Sequence, residues 1–251
     1  MHRRSIAAIV QNLDDQFSLL ERARTAAEAQ LETAQGLVSA KLRETFGHTQ
    51  VAGWRCRALE EIAETGSGAT PPRGRLDYYK GTIPWVKTGE LVDGMIDHTE
   101  EQVTESALAD TSLRVLPAGT LLVAMYGQGQ TRGRTGLLTV PATTNQACFA
   151  ILPNPSEFHP RFVQCWFRYK YQDIRSETEG RGGNQPNLNG QLLKAQRIPL
   201  PTIPEQVRIA AQMDEFEQKA TSVTRLLEKQ SVTLGAFPAA ILRVAFNGEL
   251  R

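Results

Sequence analysis

Leu13-Asp14-Asp15-Gln16-Phe17-Ser18-Leu19-Leu20-Glu21-Arg22-Ala23-Arg24-Thr25-Ala26-Ala27-Glu28-Ala29-Gln30-Leu31 decides the architecture. In and around it, apolar residues fall at Ile6, Val10, Leu13, Phe17, Leu20, Ala27, Leu31, Ala34, Val38 and Leu42. The steps alternate between four and three, the spacing of a coiled-coil seam, with Arg24 as one polar exception. No proline interrupts the stretch from Ser5 to Phe46, and Gly36 is a single weak spot. At about 1.5 Å per residue, about 41 residues make a rod roughly 60 Å long.

A second stretch of this kind runs from Glu205 to Phe246. Its stripe is Ile209, Met213, Phe216, Ala220, Val223, Leu227, Leu234, Phe237, Ile241 and Val244, with Gln230 as the polar exception. Pro204 suits a first helical turn, and Glu205 complements the N-terminal dipole. Pro238 is expected to kink this helix or to end it near Phe237. The two stretches also resemble each other. Glu28 and Gln30 match Glu228 and Gln230, and Ala40, Leu42, Arg43 and Phe46 match Ala240, Leu242, Arg243 and Phe246. One long-helix module therefore occurs twice, with a different domain between, which suggests pseudo-symmetric packing. A lone amphipathic helix of this length would not stay ordered by propensity alone, so the two are expected to pack antiparallel. The seam residues expected at their interface are Leu13, Phe17, Leu20, Leu31, Met213, Phe216, Val223, Leu227 and Leu234. An ordinary helical hairpin would bury such stripes too, but their length favours a spacer.

The middle, residues 48–203, reads as a mixed domain. Leu121-Leu122-Val123-Ala124-Met125 and Ala147-Cys148-Phe149-Ala150-Ile151-Leu152 are short apolar runs that suit buried strands, and weaker strands are expected at 83–86 and 135–140. Helical spacing covers Arg161 to Ile174, and Gly180 to Gly190 reads as loop. The predicted fold class is α+β: one mixed α/β domain flanked by two long helices packed as an antiparallel coiled coil. The expected boundaries are 1–47, 48–203 and 204–251.

The whole chain has 251 residues, 41% hydrophobic and 22% charged, with a net charge of +1. These values are ordinary for a globular chain and exclude wholesale disorder. No run of about 18 apolar residues offers a membrane span. The opening Met1-His2-Arg3-Arg4 is basic, but the apolar stretch after it is soon broken by Gln11, Asn12, Asp14 and Asp15, which does not fit a secretory signal. Three distant cysteines, Cys56, Cys148 and Cys165, form no metal-binding or disulfide framework and suggest a reducing cytoplasm.

No catalytic constellation stands out. The histidines His2, His48, His98 and His159 are isolated, so no metal site is expected. There is no nucleophile elbow and no phosphate-binding P-loop, and no cofactor is implied. Thr70-Pro71-Pro72-Arg73 is the nearest string to a DNA methyltransferase site and lacks both its leading polar anchor and its stacking aromatic. Local charge says more. From Thr111 to Lys170 the basic residues are Arg114, Arg132, Arg134, Arg161, Arg168 and Lys170, against the single acid Glu157. A basic face on a near-neutral chain is the footprint of phosphate contact.

Three polar loops sharpen this reading. Tyr126-Gly127-Gln128-Gly129-Gln130-Thr131-Arg132-Gly133-Arg134 combines Gly with Gln and Arg, which pair bidentately with adenine and guanine edges. Lys87 and Thr88 follow an aromatic strand end and could grip phosphate. Arg181, Asn184 and Gln185 lie in a third Gly-rich loop. The expected DNA contacts are Lys87, Thr88, Tyr126, Gln128, Gln130, Arg132, Arg134, Arg181, Asn184 and Gln185, with the first two near the backbone and the Gln128–Arg134 side chains at base edges.

Several strings resemble the specificity (S) subunit of type I restriction–modification enzymes. They are Gly68-Ala69-Thr70-Pro71, Ile83-Pro84-Trp85-Val86-Lys87-Thr88-Gly89-Glu90-Leu91, Met125-Tyr126-Gly127, Ala142-Thr143-Thr144-Asn145-Gln146-Ala147, Gly183-Asn184-Gln185-Pro186-Asn187-Leu188-Asn189 and Ile198-Pro199-Leu200-Pro201 before Glu205-Gln206. Ala245-Phe246-Asn247-Gly248-Glu249-Leu250 also fits. In that family two recognition domains each read half of a bipartite DNA site, and two helices set the spacing and dock methyltransferase (M) subunits. The S subunit is not catalytic; M transfers a methyl group from S-adenosylmethionine, and a restriction (R) subunit cleaves DNA using ATP. The resemblance therefore implies double-stranded DNA, M and an R subunit as partners, and no enzyme activity of its own. Asn145 and Gln146 lie in a string that suits a structural turn better than variable base reading.

This sequence departs from the pattern in having one recognition domain. It reads as half of an S subunit, either working as a homodimer or pairing with another half, although two such chains would bring four helices where a full S subunit has two. Two alternatives remain: a fragment that binds M without reading DNA, and a stand-alone DNA-modifying enzyme.

Overall fold

A computed structural model describes residues 2–47, 53–127, 129–177 and 188–247, with side chains from Ala7 onward. The chain divides into two compact units: 1–41 with 214–251, and 42–213.

The first unit is the helix pair. It is built from α1 (His2–Phe46) and from the last helix of the chain, α7 (Ile203–Phe246), each in part. On α1, Leu20, Ala27 and Ala34 are buried at seven-residue intervals. Arg24 and Leu31 between them, and Leu13 and Phe17 before them, are half-buried. Ala29, Gln30, Thr33, Ala34 and Leu37 share one cleft with Val223 and Leu227, which joins the two seams. The helices run antiparallel, since α1 leaves this unit after Lys41 and α7 re-enters it at Asp214.

The seam of α7 differs from expectation in register. Met213 and Ala220 are buried, and the line continues through Thr224, Leu227, Ser231, Leu234, Pro238 and Ile241, all half-buried. Val223, at the rim of the cleft shared with α1, is 43% exposed and Phe237 46% exposed, so both lie at the edge of the seam rather than in its centre. Gln230 is exposed, and Thr224 and Ser231 are the polar residues of the seam. The helix does not end at Phe237. It continues through Pro238 to Phe246. Pro238 costs one ladder bond, while Leu234 and Ile241 on the same seam keep the flanking turns packed.

The second unit opens with β1 (Arg55–Ala58), α2 (Leu59–Ile62), β2 (Thr65–Ser67) and a 3-10 turn at Leu76–Tyr79. β3 (Ile83–Val86), a 3-10 turn at Thr88–Glu90, β4 (Gly94–Ile96), β5 (Glu101–Val103) and α3 (Glu105–Asp110) follow. Then come β6 (Leu121–Ala124), β7 (Thr135–Leu138), β8 (Thr143–Thr144), β9 (Cys148–Ile151), α4 (Pro160–Tyr169), α5 (Tyr171–Ser176), α6 (Gly190–Lys194) and β10 (Arg197–Leu200).

Five strands form a mixed sheet in the order β2-β9-β6-β7-β4, three form β5-β3-β8, and β1 pairs with β10. Every residue of β6, β7 and β9 is buried. Strands covered on both faces read as continuous apolar runs, which is why β6 and β9 stand out in the sequence. The expected strand 135–140 stops at Leu138. Pro141 has no donor for a ladder, and the chain crosses to β8 in the other sheet. α4 starts with Pro160 at its first turn and is buried from Arg161 to Phe167 against β7. The helix expected over 161–174 is interrupted at Lys170 (φ −81°, ψ 1°), which separates α4 from α5. Gly190 begins α6 rather than closing a loop, with Asn189 capping Leu192 N.

The C-terminal end of α1 joins this core. Phe46 is buried and meets Phe162 at 5.4 Å and Tyr169 at 5.7 Å between ring centroids. The start of α7 is fixed by Gln206. Its Oε1 accepts from His159 N (2.8 Å), and its Nε2 donates to Pro201 O (2.9 Å) and Glu157 O (3.4 Å).

Candidate nucleic-acid interface

The topology gathers several loops on one edge of the second unit. β6 and β7 form an antiparallel pair, so the connection Met125–Arg134 leaves at that edge. β9 runs antiparallel to β6 and β2, so the residues before Cys148 and after Ser67 lie there too. β4 is parallel to β7, which adds the turn at Asp93. Leu188 N donates to Met125 O (3.2 Å), which brings the end of the third Gly-rich segment to the same edge. Gln128, Arg181, Asn184 and Gln185, all expected DNA contacts, lie outside the described residues.

The Tyr126–Arg134 connection is shaped by glycines. Gly127, Gly129 and Gly133 hold φ of 146°, 57° and 86°, which side chains with a Cβ rarely adopt. Tyr126 is 40% exposed, and Gln130 is exposed beside it. Arg134 does not point freely to solvent. Its Nη1 donates to Asp93 Oδ2 (2.7 Å) and its Nη2 to Gln130 Oε1 (3.0 Å). Asp93 Oδ1 also accepts from Thr135 N (2.9 Å) and Thr135 Oγ1 (3.0 Å). Below them the buried Gln164 donates to Gly94 O (3.1 Å) and to Thr135 Oγ1 (3.4 Å), and accepts from Arg161 Nη1 (2.8 Å). A polar chain thus ties the base of the connection to α4.

The expected basic face is therefore not a face. Of the six basic residues between 111 and 170, Arg132 and Arg161 are buried, Arg134 pairs with Asp93, and Lys170 pairs with Asp173. A surplus counted along the chain does not survive folding, because partners such as Asp93 and Asp173 lie outside the counted window. Arg132, expected at a base edge, is only 7% exposed.

Lys87 is committed as well. Its Nζ donates to Glu100 (2.8 Å) and Glu101 (3.0 Å), and the charge-assisted bonds raise its pKa. Arg73 donates to Glu101 (2.5 Å) and stacks over Tyr79 and Trp85 at 4.6 and 4.9 Å. The hydrogen bond from Arg73, supported by Lys87, holds the Glu101 carboxyl below its ordinary range. Glu90 accepts from Lys87 N (2.7 Å) and Glu100 N (2.9 Å), fixing the turn in which Thr88 sits half-buried. In this cluster three carboxylates, Glu90, Glu100 and Glu101, accompany two cations, Lys87 and Arg73, so Lys87 and Thr88, both expected near the DNA backbone, sit in a structural tie here.

Residues of the strings around Thr70 and Asn145, outside the expected DNA contacts, also sit at the edge. The Thr70 hydroxyl donates to Gln146 Oε1, linking two of the loops. Asn145 Oδ1 accepts from Ala147 N (3.1 Å), a turn as expected, while Gln146 is exposed. Ala69 N donates to Thr144 O (2.9 Å), and Gly68 lies so close that a Cβ would stand 1.8 Å from that oxygen. Among the described residues no group of three or more potential metal ligands forms, and no helix is long and apolar enough to cross a membrane.

The chain thus combines a mixed α/β domain that presents a cluster of polar loops with a pair of long helices. Residues 52–232 match the family of type I restriction modification DNA specificity domains, and the chain belongs to that family. It is 26% identical over 176 residues to the specificity subunit of the Escherichia coli type I restriction enzyme EcoR124I/EcoR124II, covering 69% of this chain and 43% of that one. It is 28% identical to the MjaIX specificity subunit of Methanocaldococcus jannaschii over 72% of this chain and 42% of the other. A chain solved in work on complex assembly and conformational transition of the type I R-M system superposes with a TM-score of 0.78 at 19% identity, over 95% of this chain and 58% of that one. The chain thus spans less than half the length of these curated relatives. It falls among specificity subunits, not among the enzymes of such systems.

Proposed function

We propose that the chain reads one half of a bipartite DNA site and carries that half to methyltransferase subunits on its helix pair. The observation that supports this best is the convergence of the Thr70, Tyr126–Gln130 and Gln146 loops on one edge of a specificity domain. The candidates for base contact among the described residues are the exposed Tyr126 and Gln130, with Gln146 beside them. Hydrogen bonds at base edges would give sequence discrimination, and phosphate contacts would set register. The chain performs no chemistry in this account. Methyl transfer and cleavage belong to the partner subunits.

Pairing with a second half is supported by a different feature. Val223, Phe237 and Val244 recur at multiples of seven and are 43%, 46% and 37% exposed. An apolar stripe beside an occupied seam fits a further helix pair, from a second copy or from another half. A symmetric pair would read an inverted repeat.

One observation favours the reading as an M-binding fragment that does not contact bases: Lys87 and Arg134 are already engaged by carboxylates. Selection from a random duplex pool by the full chain separates the two. The proposal expects an enriched motif; recovery of unenriched sequence would favour the fragment.

A further inference from the structure

We propose that α5 is a clamp that holds the Gly129–Arg134 limb of the β6–β7 connection by its main chain, so that side chains displayed on the limb can differ without loss of its shape. The proposal rests on the reading of this connection as a DNA contact. Arg175 Nη1 donates to Arg132 O (2.9 Å) and its Nη2 to Gly129 O (3.0 Å). The Tyr171 hydroxyl donates to Gln130 O (2.6 Å). These α5 donors meet carbonyl oxygens, which every residue type offers. The limb lies against the Tyr171 ring at Gly133, where a Cβ would stand 3.4 Å from the ring edge at a φ of +86°. The Arg134 and Arg175 guanidinium groups flank the same ring, at 5.5 and 5.3 Å. A fork-shaped guanidinium that spans two carbonyls fixes both distance and orientation. Tyr171 and Arg175 both lie on α5, which follows the interruption at Lys170. A recognition module must keep loop geometry while its base-reading side chains change. A holder whose hydrogen bonds to Gly129, Gln130 and Arg132 all go to main chain meets that requirement at those positions, and only Arg134 meets α5 through its side chain.

Tyr171 and Arg175 are positioning residues in this account, so their loss should affect discrimination rather than general DNA affinity. The test uses the full chain and the duplex motif it selects from a random pool. Affinity for that duplex and for a scrambled duplex of equal length is measured for wild type, Tyr171→Phe and Arg175→Met, each checked for native unfolding behaviour. The expected result is a cognate-to-scrambled ratio lowered at least fivefold in both variants, with scrambled affinity within twofold of wild type. If Arg175→Met does not fold, Tyr171→Phe, which removes one oxygen, decides alone. An unchanged ratio in a folded variant overturns the clamp and leaves DNA reading intact. A wild-type chain that selects no motif overturns both, and does so before any variant is made.

Discussion

Asp93 is the residue at which the geometry of the proposed DNA-reading edge can be measured as free energy. It holds φ at +66°, the one described non-glycine residue with positive φ. Its N donates to Thr135 O (2.7 Å), and its carboxylate takes Thr135 N, Thr135 Oγ1 and Arg134 Nη1. Asp93→Asn keeps a side chain that tolerates this backbone and keeps an oxygen for Thr135, but turns an amide donor on Arg134. A bond to a charged group is worth about 1.5–3 kcal/mol; with the Arg134 side chain 33% exposed, solvent screening reduces this to about 1 kcal/mol. Asp93→Ala also leaves the buried Thr135 amide unsatisfied, about 1–3 kcal/mol, and adds up to about 1 kcal/mol of backbone strain. The expected losses are therefore about 1 kcal/mol for Asn and about 3–4 kcal/mol for Ala, with Gly recovering about 1 kcal/mol of the latter. Urea unfolding of the full chain at constant m-value reads all three. Equal losses for Asn and Ala would refute the reasoning, because the charge and not the turn would then dominate.

Single contacts elsewhere carry further expectations. Gly68→Ala must open the Ala69–Thr144 bond, since its Cβ would stand 1.8 Å from a backbone oxygen; a loss of about 1–3 kcal/mol is expected, and an unmoved melting midpoint would contradict the close approach. Cys56 is exposed, while Cys148 and Cys165 are buried and burial pushes the Cys148 thiol far up. An aromatic disulfide reagent should therefore titrate one thiol at once and the other two only on unfolding; a fast reaction at Cys148 would contradict that core. Glu101 titrates below its ordinary value when folded, so its contribution is complete above the unfolded value of about 4.3 and is lost as pH falls through the lower folded value. Wild type should lose more stability than Glu101→Gln between about pH 6 and about pH 3; parallel losses would remove the Arg73–Glu101–Lys87 tie.

The helices were legible because apolar residues spaced by threes and fours over so many turns occur in little besides a paired helix, yet the register on α7 was not. Counting apolar residues chose Val223 and Phe237, whereas the seam passes through Thr224, Ser231 and Pro238. The sequence carried the correct register in another form. The 200-residue repeat maps Arg24, Leu31 and Val38 of α1 onto those three positions, and their burial has the same spacing. Packing partners set the seam, and the repeat records the packing, while hydrophobicity alone does not. Fully buried β6 and β9 announced themselves as apolar runs; the break at Lys170 had no local signal. The site was legible as a place and not as a set of contacts. Glycine and amide composition marked the Tyr126–Arg134 connection, but only the fold pairs Arg134 with an aspartate 41 positions away. Asp93, Tyr171 and Arg175 could not be found without that pairing, since none lies in a glycine-rich string.

The central claim, that the chain delivers half of a DNA site to a methyltransferase, is met most directly by co-expressing it with the methyltransferase subunit of its own system and no other specificity subunit. Adenine methylation is then mapped across the genome. The account predicts methylation at one gapped motif, palindromic if two copies of this chain act together. Stable co-purification of the two proteins with no methylated motif would contradict it.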